Sequence, residues 1–179
     1  MPQVVTHILM PLLIIAIVRD FYLKNKDKKK FSLHYVLIAG LAGIIPDLDI
    51  AAFFILNFFG FTFEQVHKTF THSIFIPLFF FLLFILLKDN RAGIGRHKLK
   101  LNLIFLMLAI GSFMHLILDA LFGPAFALFS PLSQSVVGIN LAGYLPYALQ
   151  SLAMPSLDAL LLIIWLVYLE LKHKISDFI

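Results

Sequence analysis

Five apolar stretches, separated by short basic segments, constrain this chain more than anything else in its sequence. They cover roughly residues 4–18, 31–45, 74–87, 101–121 and 157–169. A helix that crosses a bilayer needs about 20 mainly apolar residues, with a lower limit near 17. The fourth stretch meets that length alone, and the others meet it with their polar flanks. With no water in the hydrocarbon, a spanning backbone must satisfy its own N–H and C=O groups, which a helix does. The sequence therefore reads as all-α: a polytopic transmembrane helix bundle with four to five spanning helices, forming a single integral membrane domain over residues 1–179. Composition agrees, since 61% of residues are hydrophobic and 13% charged, against about 45–50% and about 25% in soluble domains.

The net charge is +4, but its placement argues against nucleic acid as a partner. Arg19, Lys24, Lys26, Lys28, Lys29 and Lys30 crowd one loop; Lys88, Arg91, Arg96, Lys98 and Lys100 crowd another; Lys172 and Lys174 lie near the C-terminus. Basic residues collect in cytoplasmic loops, so the expected topology is N-terminus outside, C-terminus cytoplasmic, in a cell (inner or plasma) membrane. The first apolar stretch has no basic region before it and no small-residue cleavage site after it, so no cleavable signal peptide is expected. The chain has no cysteine, which excludes disulfides and thiolate metal sites.

On this map the second helix runs outward and stops at Pro46. Residues 50–61 are apolar but too short to span, and read as a half-helix or an interfacial segment. A third helix runs inward from about Ser73, and a fourth, residues 101–121, runs outward. Residues 123–155 carry Gly123, Pro124, Pro131, Gly138, Gly143, Pro146 and Pro155 and read as an outer-side loop or re-entrant region. The last helix is expected from about Ser156.

Placing the ionisable side chains on this topology gives the functional signal. His7, Asp47, Asp49, His67, His72, His115 and Asp119 all fall at the outer side, delivered by four separate segments. The topology came from Lys and Arg alone, so nothing forced this convergence. Ionisable groups at membrane depth are costly and mark function, and imidazole with carboxylate is a ligand set for divalent zinc, manganese or iron. His115 and Asp119 are four apart and share a helix face, which suits a common metal or equally a hydrogen-bonded pair. Asp47 and Asp49 cannot share one helical face; one of them could simply cap the next helix, as Thr71 or Ser73 could cap the third. Lys68 could meet an anionic substrate or solvate its loop. His34, His97 and His173 lie on the inner side and receive no function. Glu64 and Asp158 are outer-side candidates to support the ligands.

Thr6-His7, Pro46-Asp47-Leu48-Asp49, His67-Lys68-Thr69-Phe70-Thr71-His72-Ser73 and His115-Leu-Ile-Leu-Asp119 occur in an order that resembles the YdjM-like membrane-bound metal-dependent hydrolases. Phe129-Ser130-Pro131-Leu132 resembles that family's Pro-containing stretch after the HxxxD helix. The likeness spans about Thr6 to Pro131, and its most specific element is His-x-x-x-Thr-His-Ser. The family commonly has Arg where this chain has Lys68, which keeps the charge but loses bidentate geometry. The resemblance implies a hydrolase.

The expectation is thus a membrane-embedded metal-dependent hydrolase at the outer interface. One or two divalent ions, zinc before manganese or iron, would be held by some of the seven His and Asp residues and activate water against an ester or phosphoester, a lipid substrate suiting the location. Asp49 is the candidate general base, and membrane lipids are the expected partners. The alternative is non-enzymatic divalent-metal binding or transport; a third reading is structural, with each His and Asp hydrogen-bonded in place. The sequence lacks HExxH and Gly-x-Ser-x-Gly motifs. It also lacks the Ser-Arg and Ser-Gly-His elements that accompany an HxxxD helix in haloperoxidase-like lipid phosphatases.

Overall fold

A computed structural model describes residues 4–24, 31–68, 71–89, 93–95 and 98–173. The described residues are all-α apart from a two-residue antiparallel pairing, Gly93–Ile94 with Leu99–Lys100, in the second basic loop, and one isolated bridge. The helices are α1 (Val4–Leu23), α2 (Leu33–Ala42), α3 (Leu48–Leu56), α4 (Phe63–Val66), α5 (Phe75–Leu86), α6 (Leu101–Phe122) and α7 (Tyr147–His173). Three of them, α1, α6 and α7, are long and apolar enough to cross a membrane. A fourth span arises if α2 and Ile45–Phe59 count together as one element bent by 42°. At 12 residues, α5 extends only about 18 Å, short of the roughly 30 Å hydrocarbon core.

Proline misled the sequence reading at two places. The second helix does not run to Pro46: it ends at Ala42, and Pro46 opens a 3-10 turn, Ile45–Asp47, that redirects the chain into α3. The last helix begins at Tyr147, well before Ser156, and carries Pro155 inside it, as α1 carries Pro11. Helices in hydrocarbon keep their form around a proline because the alternatives leave more backbone unpaired. Up to Tyr147, the stretch expected as an outer-side loop or re-entrant region is an irregular segment with a bridge between Phe126 and Val137 and a 3-10 turn at Leu141–Tyr144.

Helix α1 packs on α2, α6 and α7, α2 packs on α6, and α5 packs on α6. Leu12, Ile15, Ala16, Tyr35, Val36, Ala39 and Met107 form the core. Small residues permit the close approach, as is usual where helices meet in lipid. A methyl group on Gly43 would stand 1.9 Å from the His7 carbonyl oxygen, and one on Gly111 would stand 2.3 Å from that of Ala39. This contact brings His7, the end of α2 and the second half of α6 together.

Candidate metal centre

Each side chain is carried to the centre by a different piece of backbone. His7 comes from the first turns of α1, and His115 and Asp119 from one face of α6. Asp47 stands at the N-cap position of α3 but makes no side-chain capping bond; its Oδ1 instead lies 3.4 Å from His72 Nε2 and 3.7 Å from His115 Nε2. His72 lies just before α5 and is fully buried, as is His115. Neither Thr71 nor Ser73 caps α5. That helix starts after Ile74, whose N–H goes to the Leu128 carbonyl at 2.9 Å, and the Thr71 hydroxyl donates to Asp49 instead.

The pairing of His72 with His115 decides the chemistry. His115 Nδ1 lies 2.7 Å from the Gly43 carbonyl, which can only accept, so Nδ1 carries the proton and Nε2 a lone pair. His72 Nδ1 lies 3.2 Å from Asp49 Oδ2, which fixes the same tautomer. The two Nε2 atoms then face each other at 3.2 Å. Asp119 Oδ2 stands 3.7 and 4.0 Å from them, and His7, stacked on His115 with ring centroids 3.8 Å apart, brings Nε2 to 3.6 Å from Asp119 Oδ1. Two imidazole nitrogens and two carboxylates at such range need a positive charge among them, either a proton shared between the two Nε2 atoms or a bound cation. Two nitrogens bound about 2.0–2.1 Å from one tetrahedral ion stand about 3.3 Å apart, so the observed spacing fits a shared cation. Buried His7 Nδ1 and Asp119 Oδ1 have no hydrogen-bond partner, as expected of groups arranged for a ligand.

Asp49 plays a different part. Its carboxylate receives the Lys68 N–H at 3.0 Å and the Thr71 hydroxyl at 2.9 Å, and it faces His67 Nδ1 at 3.0 Å as well as His72 Nδ1. Lys68 adopts the left-handed conformation, φ 60°, which is uncommon outside glycine and concentrates at functional sites. That backbone turn sets the Lys68 N–H on Asp49, which His67, Thr71 and His72 also reach; Thr69 and Phe70 lie outside the described residues. Lys68 Nζ bonds Asp119 Oδ2 and lies 5.5 Å from the centre of the Phe126 ring. His72 stands outside the helices. Burial works against its imidazolium, but Asp47 and Asp49 outweigh burial and raise its pKa above the ordinary 6.5.

All seven His and Asp residues expected from the sequence are thus neighbours. His7, Asp47, His72, His115 and Asp119 form two triads that share His115, and Asp49 and His67 join them through His72. Three triads among them, His7–His115–Asp119, Asp47–His72–His115 and Asp49–His67–His72, each bring their donor atoms within 4.8 Å of one another. A family model described as YdjM inner membrane protein matches residues 1–174, nearly the whole chain. The chain belongs to the YdjM inner membrane protein family. No curated protein and no solved structure matches it.

Membership of the YdjM family establishes a membrane protein. It leaves the reaction to be argued from the site. Three contributors in this YdjM chain escaped the sequence reading. The Gly43 carbonyl that orients His115 is a backbone group and leaves no side-chain signature. Phe126 lies beside His72 with ring centroids 6.2 Å apart, and looked like one of many phenylalanines. Thr71 was read as a cap. Asp158 is reached as a supporting residue: it accepts the Thr6 hydroxyl next to His7 and is buried, with one oxygen unpartnered. The side chain of Glu64 lies outside the described residues.

Proposed function

We propose that this protein is a metal-dependent hydrolase acting on an ester or phosphoester, a lipid being the substrate that suits its location. The observation that carries the reading is the 3.2 Å approach of two buried imidazole nitrogens whose opposite nitrogens are both committed as donors. His7, His72, His115 and Asp119 would supply the ligands of the ion, zinc fitting the nitrogen and carboxylate donors. When bound, such an ion activates water and polarises the scissile oxygen.

The chain's own residues divide the remaining work. Asp49 was the base suggested by the sequence, but its oxygens are engaged by four donors, so its role in this reading is to orient His72 and His67. Asp47 is the better proton acceptor: its side chain is 12% exposed, against 4% for Asp49 and 1% for Asp119, so water reaches its carboxylate. Lys68 supplies a cation beside Asp119 that can meet the anionic oxygens of a phosphoester. A transport reading uses the same ligands, yet it needs a polar path along the bundle. Leu12, Ile15, Ala16, Val36, Ala39 and Met107 fill that space, which favours hydrolysis. The orientation of the centre toward the non-cytoplasmic side is part of the proposal and follows from the basic loops.

The test is elemental analysis of protein purified in detergent, followed by assay of lipid esters and phosphoesters with and without chelator. Stoichiometric metal and chelator-sensitive release of product are expected. Metal without turnover of any member of the panel would reduce the centre to a binding site.

A further inference from the structure

Asp158 lies inside α7, a helix apolar enough to cross a membrane and exposed along most of its length, yet Asp158 itself is buried. An ionisable side chain at such depth is costly and marks function. Its Oδ1 accepts the hydroxyl of Thr6, which is fully buried, and its Oδ2 is buried with no partner. Thr6 immediately precedes His7. We infer that Asp158 is a positioning residue for the metal centre. It docks α7 on the turn of α1 that carries His7, and its free oxygen receives the His7 Nδ1–H through one water. The inference rests on the metal-centre reading and does not depend on whether the centre turns over a substrate.

His7 lacks what the other two histidine ligands have. Its ring stacks on His115 and turns Nε2 toward Asp119 Oδ1 at 3.6 Å. An imidazole that offers Nε2 to an ion carries its proton on Nδ1, and ligating histidines donate that N–H to a carboxylate, a carbonyl or water. His115 has the Gly43 carbonyl at 2.7 Å, and His72 has Asp49 Oδ2 at 3.2 Å. His7 Nδ1 is buried with no acceptor. Among the described residues, two buried carboxylate oxygens lack a partner, Asp119 Oδ1 and Asp158 Oδ2. The first is the one that faces His7 Nε2, which leaves the second for Nδ1. The Thr6 hydroxyl ties that carboxylate to the residue next to His7. A buried water needs roughly two to four polar partners, and here it would find a donor in His7 and an acceptor in Asp158.

Docking alone does not call for an acid. Met154 and Leu161, one turn to either side of Asp158 on the same face, are buried apolar residues, and Trp165 continues the stripe against the core. An apolar side chain in place of Asp158 would complete that stripe without burying a charge. A carboxylate that gives one oxygen to Thr6 and keeps the other free fits a second recipient.

The experiment measures the zinc affinity of the full chain in detergent, by competition with a chromophoric chelator, and the melting temperature of the same samples without metal. Asp158→Asn keeps a carbonyl oxygen for the Thr6 hydroxyl but replaces the free oxygen with an amide nitrogen that cannot accept. It is expected to weaken zinc binding about 10–100-fold, the range for loss of a group that orients a ligand, with the metal-free melting temperature close to that of the parent chain. Thr6→Val, which keeps the side-chain shape but loses the hydroxyl, is expected to weaken zinc binding too, and Thr6→Ser to recover it. Unchanged affinity in Asp158→Asn and Thr6→Val would overturn the inference and leave the metal centre standing. Affinity that falls only in step with melting temperature, with no recovery in Thr6→Ser, would overturn it as well and make Asp158 a docking residue alone. A parent chain that binds no zinc would remove the centre and the inference together.

Discussion

The two ends of the bundle bury charge in opposite ways. At one end of α1, Arg19 is buried, its Nε donates to the Phe31 carbonyl at 2.8 Å, and its Nη1 meets Asp20 at 3.2 Å. Asp20 also accepts the Tyr168 hydroxyl at 2.7 Å. This network closes on itself and ties α1 to α7 and to the start of α2. About 18 Å away along the same helix, His7 and its neighbours form a cluster that does not close. His7 Nδ1, His67 Nε2 and Asp119 Oδ1 are buried without partners, and two imidazole nitrogens face each other. Structural polar clusters in apolar surroundings satisfy their groups. A cluster left unsatisfied, within a fold able to satisfy one elsewhere, is the arrangement the proposed metal centre requires.

The sharpest way to break this contrast is to remove a nitrogen from the open cluster. His115→Ala and His72→Ala are each expected to abolish bound metal in purified protein, measured by elemental analysis. Unchanged stoichiometry would return the histidines to a structural role. Gly43→Ala comes next. The added methyl has no space beside the His7 carbonyl, and overpacking of this kind costs about 1–3 kcal/mol. A lower melting temperature together with lost metal is expected, because the Gly43 carbonyl also holds His115.

Asp49→Asn separates holding from positioning. The amide keeps the volume but cannot serve four donors, and loss of a group that orients a ligand lowers metal affinity by about 10–100-fold. Metal affinity measured by competition with a chelator should fall within that range rather than vanish. A complete loss would make Asp49 a ligand itself.

Much of this was legible in the sequence, for identifiable reasons. Apolar stretches report spans because hydrocarbon leaves the backbone few choices. The seven His and Asp residues could be assembled from topology alone, because charge is rare here and its position carries information. Helix ends were harder to read. Pro46 and Pro155 looked like breakers, but one opens a 3-10 turn and the other sits within α7. Division of labour within the centre was not legible either. Asp47 and Asp49 are near-neighbours of identical chemistry, and only the left-handed turn at Lys68, which wraps donors around Asp49, tells them apart.

Acid and base should act on the open cluster with a definite sign. The His72 pKa is raised above 6.5 by Asp47 and Asp49 against the opposing effect of burial. Its contribution to metal-free stability is therefore full below about pH 6.5 and lost as pH rises through its folded value. Metal-free protein should melt at lower temperature at pH 8 than at pH 6.5, and added zinc should raise the melting temperature more at pH 8, where fewer protons compete for Nε2. Equal stabilisation at both values would separate His72 from the metal.

The smallest expected effect belongs to the closed end. Tyr168→Phe removes one hydroxyl donor from Asp20 and leaves Arg19 and the Phe31 carbonyl bonded as before. A single hydrogen bond of this kind is worth about 0.5–1.5 kcal/mol, so thermal unfolding should show a modest destabilisation. Metal content and affinity should not change, because α1 transmits nothing polar between Arg19 and His7: Leu12, Ile15 and Ala16, packed in the core, separate them. A change in metal affinity at this distance would mean that the two ends are coupled through the docking of α7, where Asp158 accepts the Thr6 hydroxyl beside His7. In that case the closed network would help set the geometry of the open one.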